Sequence, residues 1–141
     1  MSGNLGTPVP LDPGTFAGVS NTTNRFMQAL DAYDFEAVVD TFTSDGVWAI
    51  KGRPDYRGRD GLSQFWVNRS PKNRNRKHLL HGLYILPTGD GTATAELVIS
   101  VVDLSDGVTV AVGDSTDQLR RCEDGIWRFV RKETGMVFKN L

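Results

Sequence analysis

The chain reads as an α+β domain, helices first and an antiparallel sheet last, and three observations predict this. Apolar residues recur at helical spacing early on, at Phe26, Met27, Leu30 and Tyr33 and again at Leu62, Phe65 and Trp66. Beyond Lys77 every long stretch is β-type: His78 to Leu86, Thr92 to Leu104, Val108 to Arg121 and Ile126 to Thr134. The joins hold Gly89-Asp90-Gly91, Asp106-Gly107 and Asp124-Gly125, and Asp-Gly between extended runs is a hairpin signal because glycine takes positive φ without strain. Helices followed by a meander, with one earlier strand, make an α+β domain.

Taken in order, residues 1–20 read as a flexible Gly/Pro-rich arm and 21–141 as the single domain. Pro8, Pro10 and Pro13 interrupt the arm, and Met1 to Val19 has no basic start, so it does not read as a signal peptide. Asn21, Thr22 or Thr23 is the expected cap of the first helix. Asp34 caps a second, shorter helix, with Glu36 in its first turn and Val38, Val39 and Phe42 on its apolar face. Ser44-Asp45-Gly46 is a turn into a short strand, Val47 to Lys51. Gly52 to Arg59 is a polar loop, and Asp60 is the expected cap of the third helix. Arg69 to Lys77 is a basic connection containing Pro71.

One strand departs from alternation. Leu97-Val98-Ile99-Ser100-Val101-Val102 offers apolar groups to both faces, whereas a sheet with helices on one side should show one polar face. A second subunit covering the outer face accounts for this and predicts a homodimer; a β-bulge or an ordinary apolar patch is the plainer alternative.

Composition removes several function classes. With 16 Lys+Arg against 17 Asp+Glu, the 141-residue chain has a net charge of -1, which gives no electrostatic argument for nucleic acid or for a membrane surface. Hydrophobic and charged fractions of 39% and 23% are those of a soluble globular chain. No segment approaches the ~18 apolar residues of a membrane span, and cytoplasmic location is expected. The single cysteine, Cys122, excludes an internal disulfide, and two histidines with it make no tetrahedral zinc set. No metal or organic cofactor is expected, and no glycine-rich nucleotide motif is present. The run Arg69, Lys72, Arg74, Arg76, Lys77 lacks interleaved aromatics, so it reads as a solvated loop or a rim attracting an acidic substrate, not a nucleic-acid site.

Several strings resemble one family. Arg25 to Ala37 looks like its opening helix pair, and Phe42-Thr43-Ser44-Asp45-Gly46-Val47-Trp48 like the turn into its first strand. Arg57-Gly58-Arg59-Asp60-Gly61-Leu62 resembles the start of its third helix, Lys77-His78-Leu79-Leu80 its Arg/Lys-His strand, and Gly113 to Phe129 its final hairpin. In this order they resemble the SnoaL-like branch of the nuclear transport factor 2-like superfamily, over about Asn21 to Glu133. The resemblance implies a curved sheet wrapped as a cone around the N-terminal helices, a largely apolar pocket inside it, and dimerisation through the outer face. The superfamily holds dehydratases, isomerases, polyketide cyclases, dioxygenase β subunits and binding proteins, so the site must decide the activity.

On the residues alone, Asp31 is a helix-end charge in solvent and His78 an ordinary histidine at a strand end. The resemblance to scytalone and bile-acid dehydratases implies instead that they pair inside the cone. A carboxylate on one imidazole nitrogen fixes the tautomer and raises the basicity of the other, which makes a general base. Removal of a proton α to a carbonyl is the natural reaction, followed by loss of water, a double-bond shift or ring closure. His81, three residues on, points to the other sheet face. Tyr84 shares the parity of His78 and is a candidate oxyanion donor, as are Tyr33, Trp48 and Tyr56. Asp117 faces inward if Leu119 does, as a second acid/base group or the partner of an arginine. Tyr33, Trp48, Tyr56, Phe65, Trp66 and Leu80 are the expected substrate contacts; each is also a plausible core residue. Leu30 stands where scytalone dehydratase has a tyrosine, and its second pocket histidine has no counterpart here. The expected function is a cofactor-independent lyase, isomerase or cyclase acting on a hydrophobic oxygenated, polyketide- or terpenoid-like intermediate. The alternatives are a non-catalytic binding or assembly protein on the same fold, or a relative of a dioxygenase β subunit.

Overall fold

The computed structural model describes residues 6–140. Helix α1 spans Pro13–Ala32, so it begins well before the expected caps at Asn21 to Thr23. Asp12 is the cap: its carboxylate accepts from the Thr15 backbone N–H at 3.0 Å, and Pro13 takes the first helical position, where a missing N–H costs nothing. This corrects the boundary of the expected arm. Of that arm, residues 1–5 lie outside the described residues, residues 6–12 are irregular, and Pro13 onward is helix.

Asp34 caps α2, Phe35–Asp40, as expected, accepting from the Ala37 N–H at 3.1 Å. Strand β1, Phe42–Ile50, is longer than predicted. The Ser44 to Gly46 segment lies within it as an irregularity between Phe42 and Val47. Gly46 is needed there, since an added Cβ would sit 2.8 Å from the Phe129 carbonyl oxygen. A two-residue strand β2, Tyr56–Arg57, leads into α3, Gly58–Val67; Asp60 stands in its first turn, not at its cap. A 3-10 helix, Pro71–Asn75, occupies the basic connection.

The meander follows as β3 Arg76–Gly89, β4 Thr92–Asp103, β5 Thr109–Arg121 and β6 Trp127–Lys139. One six-stranded sheet results, in the order β2-β1-β6-β5-β4-β3. All neighbours are antiparallel except β1, which runs parallel to β6. The helices fill the concave side. Phe26, Met27 and Leu30 of α1, Val38, Leu62 and the inward residues Leu97, Ile99, Leu119 and Phe129 form the core. Each such large apolar side chain contributes about 1.5–3 kcal/mol by leaving water. No helix of the described residues is long and apolar enough to cross a membrane.

Candidate active site

Helix α1 delivers Asp31 in its last turn, and β3 begins nearby with His78 as its third residue. The two meet: Asp31 Oδ1 lies 2.7 Å from His78 Nδ1. The His78 backbone N–H also donates to Asp31, at 3.1 Å to Oδ2 and 3.3 Å to Oδ1. Both side chains are largely shielded, at 16% and 15% exposure. The carboxylate accepts only, so Nδ1 carries the hydrogen and Nε2 keeps the lone pair in the neutral ring. Anchoring the carboxylate on a backbone N–H as well fixes the geometry of the pair.

His78 lines a cavity of about 370 Å³ inside the cone. Its apolar wall includes Phe26, Met27, Leu30, Trp48, Phe65 and Ile99. Its polar wall includes Arg69, Asn73, Arg76, Lys132 and Thr134. Lys132 is buried, and its Nζ donates to Asp117 Oδ2 at 2.9 Å. Ser115 Oγ donates to the other oxygen of Asp117 at 2.5 Å. The ammonium also lies 4.6 Å and 4.8 Å from the ring centres of Phe26 and Phe129. Asp117 thus faces inward, as parity predicts, but its partner is a lysine rather than an arginine. Arg69 donates to the Leu30 carbonyl at 3.0 Å; burial pulls its guanidinium below the usual arginine range, against the opposing pull of the Asp31 carboxylate.

A bulge explains why Lys132 points inward. Gln118 pairs with Arg131 but Leu119 pairs with Phe129, so Val130 is an extra residue in β6. Trp127 and Phe129 face the core before it, and Lys132 and Thr134 after it. Simple alternation from Phe129 would send Lys132 outward, which is why inspection of the sequence passes over it.

A second bulge corrects Tyr84. His81 pairs with Val98 while Tyr84 pairs with Glu96, so Gly82 and Leu83 together face Leu97. Gly82 takes φ 58°, which the turn of the bulge requires. Leu83 and Ile85 then join the core, and Tyr84 turns to the outer face, away from His78. Before the bulge the parity holds: His81 is exposed, with Nε2 2.8 Å from Ser100 Oγ.

Of the other expected contacts, Trp48 and Phe65 line the cavity. The Trp48 N–H already donates to Thr134 Oγ1 at 3.0 Å, so it is not a free oxyanion donor. Tyr33 caps the end of α1 at φ 56° and lies outside the lining, its ring 4.2 Å from the guanidinium carbons of both Arg69 and Arg74. Trp66 packs on Tyr33 and Phe35, Tyr56 packs edge-on against Phe65, and Leu80 packs on the core; none of the three lines the cavity. Among the described residues, no three His, Cys, Asp or Glu side chains converge as a metal set.

The sequence matches the SnoaL-like domain over residues 17–133. The chain belongs to the SnoaL-like family. Solved structures agree with the fold. A protein of unknown function with a cystatin-like fold from Nostoc punctiforme superposes with a TM-score of 0.81 at 22% identity, covering 91% of this chain and 95% of its own. A Catenulispora acidiphila protein in complex with S-DNPA gives 0.75 at 27% identity, covering 89% and 95%. The hexachlorocyclohexane dehydrochlorinase LinA-type3 from Novosphingobium barchaimii gives 0.77 at 14% identity, covering 89% and 88%. No curated protein matches in sequence. At these identities the first and third likenesses establish the SnoaL-like fold and nothing finer.

Proposed function

We propose that this SnoaL-like protein is an enzyme that removes a proton α to a carbonyl from a hydrophobic oxygenated, polyketide- or terpenoid-like substrate. Elimination of water, a double-bond shift or ring closure completes the reaction. The 2.7 Å contact between Asp31 and His78, on the wall of a cavity large enough for a small molecule, carries this reading. His78 Nε2 takes the proton, and Asp31 balances the imidazolium that forms. Electron density from the broken C–H bond moves onto the carbonyl oxygen. Lys132 is the group that meets this developing charge, in place of the expected tyrosine: one of its N–H groups is held by Asp117 and two remain.

The test is α-proton exchange. Cyclic and aryl ketones incubated with the protein in D2O should gain deuterium, read by mass spectrometry. His78→Ala should lower the rate by ~10²–10⁴-fold, the usual loss for a missing general base. Asp31→Asn should also be severe, because an amide can hold the wrong tautomer and cannot balance the imidazolium. His81→Ala should change little. Exchange equal in wild type and His78→Ala would remove His78 from the mechanism. Tight ligand binding with no exchange on any carbonyl compound would leave the binding-protein alternative standing.

A further inference from the structure

We infer that the substrate of the cone carries a carboxylate, and that Arg76 is the residue that anchors it. The inference rests on the reading of the cone as a substrate pocket and names the class of molecule that enters it. Arg76 opens β3 two residues before His78, so strand alternation puts both on the concave face, ~6.6 Å apart along the strand. Its side chain is only 7% exposed, and its Nε is buried with no hydrogen-bond partner. A buried guanidinium without a full set of acceptors is costly, and proteins keep such groups where a ligand completes them.

Among the described residues no carboxylate hydrogen-bonds to that Nε, although the charges of Arg76 and Asp103 attract one another across the strand pair. Asp103, its cross-strand partner, gives Oδ1 to the Ser105 N–H at 2.9 Å, the Ser105 hydroxyl at 2.6 Å and the Asn75 amide at 3.2 Å. Asp31 is held by His78 and Asp117 by Lys132. No carboxylate among the described residues lines the cavity, while Arg53, Arg69, Lys72, Arg76, Lys132 and Lys139 do. The whole chain has a net charge of -1, so this excess of cations is local to the cone. Inside low-dielectric walls such a cluster concentrates anions. A guanidinium fork matches a carboxylate in two parallel hydrogen bonds, where a lysine would offer a point charge. The ligand that fits is an apolar acid. Its carboxylate sits on Arg76, its body on Phe26, Leu30, Trp48 and Ile99, and its activated carbon a few bonds further on, beside His78.

Binding tests this without any turnover. Calorimetry at pH 7.5 with 2-naphthylacetate and the neutral 2-naphthylacetamide should show the acid binding at least ~10-fold tighter, the range of a charge-assisted pair. Arg76→Gln should lower affinity for the acid ~10-fold and leave the amide within ~2-fold. Arg76→Lys should weaken the preference without abolishing it. Equal affinity of the wild type for acid and amide, including no measurable binding of either, overturns the inference whatever the variants do. Arg76→Gln keeping the full preference, or losing acid and amide alike, overturns the role of Arg76. His78→Ala should keep the preference. A protein that prefers the acid yet exchanges no α-proton retains the anchor and loses the enzyme reading; exchange on neutral ketones with no acid preference does the reverse.

Discussion

Replacing Lys132 with methionine keeps the length of the side chain and removes the charge that faces Asp117 at 2.9 Å. Both partners are buried, at 1% and 0% side-chain exposure, so the single change strands a carboxylate with only Ser115 for company. The expected cost is about 3–5 kcal/mol in urea unfolding, the range for breaking a buried pair from one side. Removing both charges, as in Lys132→Met with Asp117→Leu, should recover most of that stability, because the desolvation penalty of the ions goes with them. A Lys132→Met variant within 1 kcal/mol of wild type would mean that the pair is not desolvated as the structure has it. The same residue shows what a sequence does and does not disclose. The pairing of Asp31 with His78 was implied by the family resemblance and by no local pattern, and the structure joins them. Tyr84 was misplaced and Lys132 passed over because one extra residue in a strand exchanges its two faces. Gly82 was a usable warning, since glycine inside a strand often marks a bulge. Val130 gave none: nothing distinguishes a bulged valine from a paired one.

Helix α1 shows the same limit at the level of an element. Its glycines and prolines looked like a loose arm, yet Asp12-Pro13 is a cap followed by a helix-starting proline. What holds the added turns is tertiary. Thr22 Oγ1 donates to the Trp127 carbonyl at 2.6 Å, and Gly18 lies so close to Trp127 that an added Cβ would run into the indole, with Nε1 2.7 Å away. Two effects therefore oppose each other in Gly18→Ala. Alanine favours an isolated helix over glycine by ~0.5–1 kcal/mol. Forcing a methyl into a packed contact costs typically ~1–3 kcal/mol. The clash should win, because Trp127 is buried and backed by the sheet, so the variant should be less stable by about 1–2 kcal/mol in chemical denaturation. A more stable Gly18→Ala protein would show that α1 does not seat on Trp127. Thr22→Val, which keeps the volume and deletes the hydroxyl, should also destabilise, by roughly 1 kcal/mol.

At the scale of the whole molecule, residue periodicity and hairpin turns made the α+β class and the meander legible, the curvature of the sheet was implied by the family resemblance alone, and the order of strands was not legible. That β1 inserts beside β6 in parallel, separated from it by most of the chain, depends on long-range packing that no local pattern records. The doubly apolar β4 segment is where sequence and fold bear together on assembly. Leu97, Ile99 and Val101 are buried inward, which leaves Val98 and Val102 on the convex face, half-buried in a single chain. The outer face of β3 next to them adds Leu79, 41% exposed, and Tyr84. The helices cover only the concave side, so nothing among the described residues covers this patch. We expect a homodimer through it, with on the order of 800 Å² buried per subunit for a stable interface. Val98 lies in mid-sheet, opposite His81 on one side and Asp114 on the other, whereas Val102 lies nearer the strand end, opposite Lys77 and Thr109. A charge at the centre of an interface is desolvated more completely than one at its rim. Val98→Arg should therefore convert dimer to monomer in sedimentation velocity at micromolar concentration, and Val102→Arg should weaken the dimer less. Neither residue faces the cone, so ligand binding in the monomer should persist. A wild-type protein that sediments as a monomer at that concentration would sink the dimer and return the Leu97 to Val102 run to an ordinary apolar patch.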